Sequence, residues 1–190
     1  MSAATPLVVV LAGGRSQRMG RSKAAVTLAG RPLAAWVLAA AAGAGLKAVV
    51  VAKPETELPT LAVPVWHEPA EPSHPLAGLV AALERAAPRP VIALACDMPF
   101  VTPALLRRLA GADAGAIAVV TRDEERVHPF PGRYGQETLE ALRSGLAAEA
   151  AVRDVLLELT PVELSVQDAR VLVGINDPEA LRRAEALAAG

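Results

Sequence analysis

The chain's chemistry is concentrated in two short stretches. The first, Leu11-Ala12-Gly13-Gly14-Arg15-Ser16-Gln17-Arg18-Met19-Gly20-Arg21-Ser22-Lys23, follows an apolar run and combines glycines with two useful cations. Glycines let the backbone approach a ligand closely and turn N–H groups toward it, a surface suited to phosphate oxygens. The Arg18 guanidinium can fork onto two oxygens, and the more mobile Lys23 ammonium can follow charge as it develops on a transferring group. The spacing matches neither the G-x-G-x-x-G dinucleotide fingerprint nor the G-x-x-x-x-G-K-[ST] Walker loop. The second stretch is Cys96-Asp97-Met98-Pro99, where Asp97 directly follows another apolar run. A carboxylate there suits Mg²⁺, which takes one or two protein oxygens and completes its shell with water and substrate phosphates. No Ser-His-Asp or Cys-His arrangement accompanies these residues, so positioning and electrostatic stabilisation must carry the reaction.

Positioning requires a frame, and the hydrophobic pattern supplies one. Leu7–Leu11, Ala48–Val51, Val91–Ala95 and Ala116–Val120 are short continuous apolar runs, as expected of strands buried on both faces of a parallel sheet. Between them Pro32–Ala42, Leu76–Ala86 and Thr102–Ala110 read as helices, the last with Thr102 as cap and Pro103 at its first position. The alternation predicts an α/β fold with a doubly wound, mostly parallel sheet and helices on both faces. Asp97 and the glycine loop then lie at the carboxyl ends of strands, where open α/β sheets bind ligands. Beyond Thr121 the pattern changes. The stretch through His128-Pro129-Phe130-Pro131-Gly132 is expected as an insertion over one end of the sheet. Helical stretches near Gln136–Ser144 and Glu149–Leu159 come next, then two late strands at Pro161–Val166 and Arg170–Val173, and a final helix over Asp177–Ala188.

Composition sets the outer bounds. With 190 residues the expectation is one domain over residues 1–190. The 53% hydrophobic content with only 3% aromatics calls for a core of Ala, Val and Leu. A formal net charge of -1 without basic runs predicts neither nucleic acid nor membrane as a partner, and the oligomeric state is left open. The apolar segments are too short to span a bilayer or lack the flanks of a signal peptide. Cys96, the only cysteine, excludes an intramolecular disulfide and agrees with a cytoplasmic location.

The pattern L-A-G-G-x-S-x-R-M-G-x-x-K, followed by Gly30-Arg31-Pro32-Leu33, resembles the opening of the molybdenum cofactor guanylyltransferases and the wider nucleotidyltransferase superfamily. Further motifs agree. Cys96-Asp97-Met98-Pro99 resembles the family's metal motif. Glu68 ahead of His74-Pro75-Leu76-Ala77-Gly78 resembles a nucleotide-contacting acid before G-P-L-A-G, and Ile175-Asn176-Asp177-Pro178-Glu179 resembles N-x-N-x-P-E. The sequence departs from the family at Glu68 (usually Asp), His74 (usually Gly), Ala52 (often Asn) and Gly174 (usually Asn). The resemblance implies a Rossmann-like nucleotidyltransferase fold and transfer of GMP from GTP to molybdopterin with Mg²⁺ and release of pyrophosphate. It also implies that Leu11, Ala12, Gly13, Gly14, Lys23, Glu68 and Asp97 hold the nucleotide. Lys23, Arg18 and Asp97 are then catalytic, and Asp97 with Asn176 holds the metal. His128-Pro129 resembles an acceptor-side H-P pair. L-A-G-G favours guanylyl over cytidylyl transfer. The alternatives are a cytidylyl- or sugar-phosphate nucleotidyltransferase, or a nucleotide-binding protein that has lost turnover.

Overall fold

The computed structural model describes residues 4–14 and 22–188. Nine strands and six α-helices follow one another as β1 (Leu7–Leu11), β2 (Thr27–Leu28), β3 (Arg31–Pro32), α1 (Leu33–Gly43), β4 (Ala48–Ala52), β5 (Val65–His67), α2 (Pro75–Ala86), β6 (Val91–Ala95), α3 (Pro103–Ala110), β7 (Ala118–Arg122), β8 (Val127–Tyr134), α4 (Leu139–Ala147), α5 (Val152–Glu158), β9 (Val162–Ser165) and α6 (Pro178–Ala188). Seven strands form one sheet in the order β5-β4-β1-β6-β8-β7-β9, while β2 and β3 pair as a separate small hairpin. Within the seven-stranded sheet only β8 runs antiparallel to its neighbours, and the β2–β3 hairpin is antiparallel as well.

Strand β1 shows why the apolar runs carry no polar alternation. Its side chains project to opposite faces in turn, and both faces are covered. Val8 and Val10 pack with Ile92, Leu94, Val37 and Leu106 beneath α1 and α3. Leu7 and Val9 pack with Val91, Ala93, Leu79 and Leu83 on the side of α2 and α4. The helices settle close to the sheet because their contact residues are small, such as Ala34, Ala41 and Ala82, all fully buried. Thr102 caps α3 as its sequence suggests, accepting from the Leu105 N–H at 3.2 Å. A third, smaller cluster of Val26, Leu28, Leu33, Ile175, Ala180 and Ala184 joins the hairpin to α6.

Several expectations need correction. Val127–Tyr134 is a strand inside the sheet, between β6 and β7, where an insertion over the sheet's end was expected. Its prolines and its break in apolar pattern conceal it. A register shift between Val120 and Thr121 accommodates the irregularity. Ala116 does not begin β7, because its N–H bonds to the Asp113 carbonyl in a turn, and the Asp113 side chain accepts from the Gly115 N–H at 2.9 Å. Arg170–Val173 is not a strand either. Asp168 accepts from the Arg170 N–H at 3.1 Å and starts a short 3-10 turn over Ala169–Leu172. The strand β9 is present, but it pairs in parallel with β7.

Candidate functional site

The parallel strands bring their carboxyl ends to one edge. Strand β1 pairs with β4 on one side and β6 on the other, so successive strands lead away from it in opposite directions. This is a topological switch point, the place where doubly wound folds open a crevice. In register, Leu11 stands opposite Val51 and Ala95, and Ala52 opposite His67. The residues just beyond these ends are Gly13 and Gly14, Lys53, Glu68 and Asp97. Together with Lys23, His74, Gly78, Pro129 and Phe130 they line a cleft of about 600 Å³.

At one end of the cleft three groups from distant parts of the chain meet. Lys23 donates to Asp97 Oδ2 at 2.7 Å and also to Asn176 Oδ1. The Asp97 side chain is only 10% exposed and that of Lys23 22%, so the ion pair is well shielded. The Ile175 N–H, bonded to the Asp97 carbonyl at 2.8 Å, fastens the approach of Asn176. Gly174 permits it, since a side chain there would begin 3.2 Å from Asn176 Nδ2 and 3.5 Å from Asp97 Oδ1. Asn176 and Asp177 divide two tasks that the sequence leaves combined. Asp177 caps α6 by accepting from the Ala180 N–H at 2.8 Å, and Asn176 faces Lys23. Among the described residues the Asp97 carboxylate meets Lys23 and no turn N–H. Two hard oxygens, Asp97 Oδ2 and Asn176 Oδ1, therefore converge on one cationic point. That donor set fits a magnesium ion, which needs few protein ligands. Among the described residues no group of three or more His, Cys, Asp and Glu gathers as a transition-metal site would require.

Farther along the cleft Glu68 is 7% exposed, which overturns any picture of it as a solvated loop residue. Its two carboxylate oxygens lie between Gly13 and Gly78. A Cβ on Gly13 would fall 1.6 Å from Oε1, and one on Gly78 would fall 2.6 Å from Oε2. Burial pushes the Glu68 carboxyl up from its ordinary value, against the pull of the nearby Lys53 ammonium, and Glu55 adds to the rise. Lys53 is 4% exposed and donates to the Ala70 carbonyl. His74, which departs from the usual glycine, has a structural task. Its Nδ1 accepts from the Leu76 N–H at 3.2 Å and caps α2 ahead of Pro75.

The loop residues differ in what they present. The Ala12 N–H is committed to the Val51 carbonyl at 2.8 Å and the Leu11 carbonyl to the Cys96 N–H at 3.0 Å, so both extend the sheet. Leu11, Gly13 and Gly14 line the cleft, and Ala12 lies behind it. Arg18 lies outside the described residues. His128 is turned away from the cleft lining and bonds through Nε2 to Asp123 Oδ2 at 2.7 Å. The Cys96 thiol is buried, and burial pushes it up to about 12, so it remains a neutral core group. Lys53 is the residue that sequence reasoning passed over. Its position immediately after a buried strand, like that of Asp97, was the available signal.

The chain as a whole is similar to known proteins. The chain is 36% identical over 186 residues to the molybdenum cofactor guanylyltransferase of Cereibacter sphaeroides, covering 94% of this chain and 95% of that one. It is 34% identical to the molybdenum cofactor guanylyltransferase of Rhizobium johnstonii, covering 93% of this chain and 90% of the relative. The crystal structure of molybdopterin-guanine dinucleotide biosynthesis protein A from Archaeoglobus fulgidus superposes with a TM-score of 0.82 at 25% identity, over 96% of this chain and 98% of that one. Residues 8–162 match the model of the MobA-like NTP transferase domain, a span that holds the glycine loop, Lys23, Glu68 and Asp97. On the agreement of sequence and fold, the chain belongs to the MobA-like NTP transferase family.

Proposed function

We propose that this nucleotidyltransferase acts in the cytoplasm and transfers GMP from GTP to molybdopterin, releasing pyrophosphate. The observation that carries the reading is the convergence of Lys23, Asp97 and Asn176 beside Gly13 and Gly14 at the switch point of the sheet. The names of the relatives agree with guanine as the base and a molybdenum cofactor precursor as the acceptor. No helix among the described residues is long and apolar enough to cross a membrane.

In this mechanism a terminal phosphate oxygen of the acceptor attacks the α-phosphorus of GTP in line. The bond from that phosphorus to the bridging oxygen breaks, and pyrophosphate leaves with the electron pair. Gly14, where an added Cβ would meet only open space, lets the triphosphate lie against the backbone. Arg18 forks onto phosphate oxygens. Lys23, paired with Asp97 before substrate arrives, swings its ammonium to the charge that builds on the transferring group. Asp97 and Asn176 would hold a magnesium ion, whose charge would neutralise phosphate oxygens once bound. The Glu68 carboxylate, open to the same cleft, can accept from donors on the nucleoside.

The test is pyrophosphate release by purified protein with Mg²⁺ and each nucleoside triphosphate in turn, with and without molybdopterin. Release is expected with GTP, to depend on the acceptor, and to be lost in Asp97→Ala. Release with CTP or UTP alone would overturn the guanylyl assignment, and nucleotide binding without any release would overturn turnover.

A further inference from the structure

Lys53 is a costly residue to bury. The residue is only 4% exposed, so its ammonium gives up much of its hydration, and among the described residues it makes one hydrogen bond, to the Ala70 carbonyl. An ammonium has three N–H donors, so two have no partner among the described residues on a side chain that lines the cleft. Beside it lies the opposite need. Among the described residues nothing donates a hydrogen bond to the Glu68 carboxylate, although the residue is only 7% exposed and its carboxylate opens to the same cleft. Buried polar groups are ordinarily paired, and two that are left open toward a common space mark where a ligand completes them.

Their relative placement is fixed by the sheet. Ala52 and His67 are register partners on the parallel strands β4 and β5, so Lys53 and Glu68 are the next residues along, one strand spacing apart. The Lys53 stem runs past Gly13, where a Cβ would stand 3.4 Å from Lys53 Cγ, and the Glu68 carboxylate lies against the same glycine. The cleft wall thus presents a cationic donor and an anionic acceptor side by side. Its chemical complement is an edge carrying a carbonyl oxygen next to N–H donors. Guanine, a 6-oxopurine with a 2-amino group, has that edge: the 6-carbonyl, then the ring N–H, then the exocyclic amine. Adenine offers an amine to the ammonium and a ring lone pair to the carboxylate, so both contacts turn repulsive.

We propose that Lys53 is a specificity-determining residue, its ammonium donating to the 6-carbonyl oxygen of the base while Glu68 accepts from the neighbouring N–H groups. This rests on the guanylyl reading and adds the group that selects the base. It gives a function to the position after Ala52, where the chain lacks the amide that the family often carries.

The experiment is equilibrium binding of GTP, 6-thio-GTP, ATP and CTP in the presence of Mg²⁺ to the wild type, Lys53→Met and Lys53→Gln. Replacing oxygen by sulfur weakens only the acceptor facing Lys53 and keeps both N–H donors. The wild type should hold GTP about ten-fold or more tighter than 6-thio-GTP. Lys53→Met should weaken GTP by roughly ten- to hundred-fold, the range of a charge-assisted hydrogen bond, and leave 6-thio-GTP little changed. Lys53→Gln, which keeps a neutral donor, should fall between. Equal loss for both nucleotides in Lys53→Met would assign Lys53 to holding the loop alone and overturn the proposal. So would a wild type that binds GTP and 6-thio-GTP equally, a result that needs no variant to fold. Preference for CTP over GTP in the wild type would overturn the guanylyl reading and this one together, whereas preference for GTP with an unchanged sulfur ratio would overturn this one alone.

Discussion

Gly13→Ala tests the packing of the cleft wall without touching charge. Gly13 does not have a left-handed backbone, so alanine meets no conformational strain and the cost must be steric. The new methyl would stand 1.6 Å from Glu68 Oε1 and 2.7 Å from Glu68 Cδ. The carboxylate must retreat by roughly 1.5–2 Å, and overpacking of this kind costs about 1–3 kcal/mol. On its other side the carboxylate lies close to the Gly78 backbone, where an added Cβ would stand 2.6 Å from Oε2, and its free side faces the cleft. The displaced carboxylate should therefore turn into the cleft, lowering nucleotide affinity as well as stability. A double-mutant cycle isolates the contact. Urea unfolding of the wild type, Gly13→Ala, Glu68→Ala and the double variant should show the alanine penalty of about 1–3 kcal/mol in the first background, and close to none once the carboxylate is gone. An equal penalty in both backgrounds would show that the Gly13–Glu68 contact is not what demands glycine, and the reasoning would fail.

Two other outcomes follow from the same geometry. Lys23→Met should lower kcat for pyrophosphate release by about 10²- to 10³-fold, the usual cost of removing one preorganised group at developing charge, with a smaller change in nucleotide Kd; a larger effect on Kd than on kcat would place Lys23 in ground-state binding. The Asp123 carboxyl is held down to about 2, chiefly by the Arg126 N–H and then by His128. A depressed carboxyl contributes stability above its ordinary value and loses it as pH falls through the folded one, so the stabilisation should fade between about pH 4 and pH 2. Denaturant midpoints followed across that window should fall less steeply in Asp123→Asn, and parallel curves for the two proteins would refute the assignment.

The legibility of the sequence followed the strength of local signals. Leu7–Leu11 and Val91–Ala95 are strands at the expected bounds, because continuous apolar runs flanked by turn residues have few other uses. Thr102-Pro103 marked a helix start for the same reason, since cap and proline agree. Strand β8 was illegible. Its pattern carries prolines and a histidine, and tertiary pairing with β6 and β7 overrides what the segment shows alone. The glycine loop, Lys23 and Asp97 could be picked out because each stands at the end of a recognisable strand or in a motif. The burial of Glu68 and Lys53 could not, because it depends on the register of β4 with β5, a strand of three residues with no distinct periodicity.

The small core shared by the β2–β3 hairpin and α6 has a further consequence. It buries Val26, Leu28 and Leu33 just after Lys23, and Ile175 and Ala180 on either side of Asn176. Asp97, by contrast, follows a central strand anchored in the main sheet. Proteins open in cooperative units well below their global stability, units that often coincide with supersecondary motifs such as this hairpin and its helix. A brief opening there would carry Lys23 and Asn176 away together and leave Asp97 in place with neither. The integrity of the cluster is thus set by packing more than a hundred residues further along the chain from the glycine loop, and changes on the buried face of α6, at Ala180 and Ala184, can govern how long the cleft stays assembled.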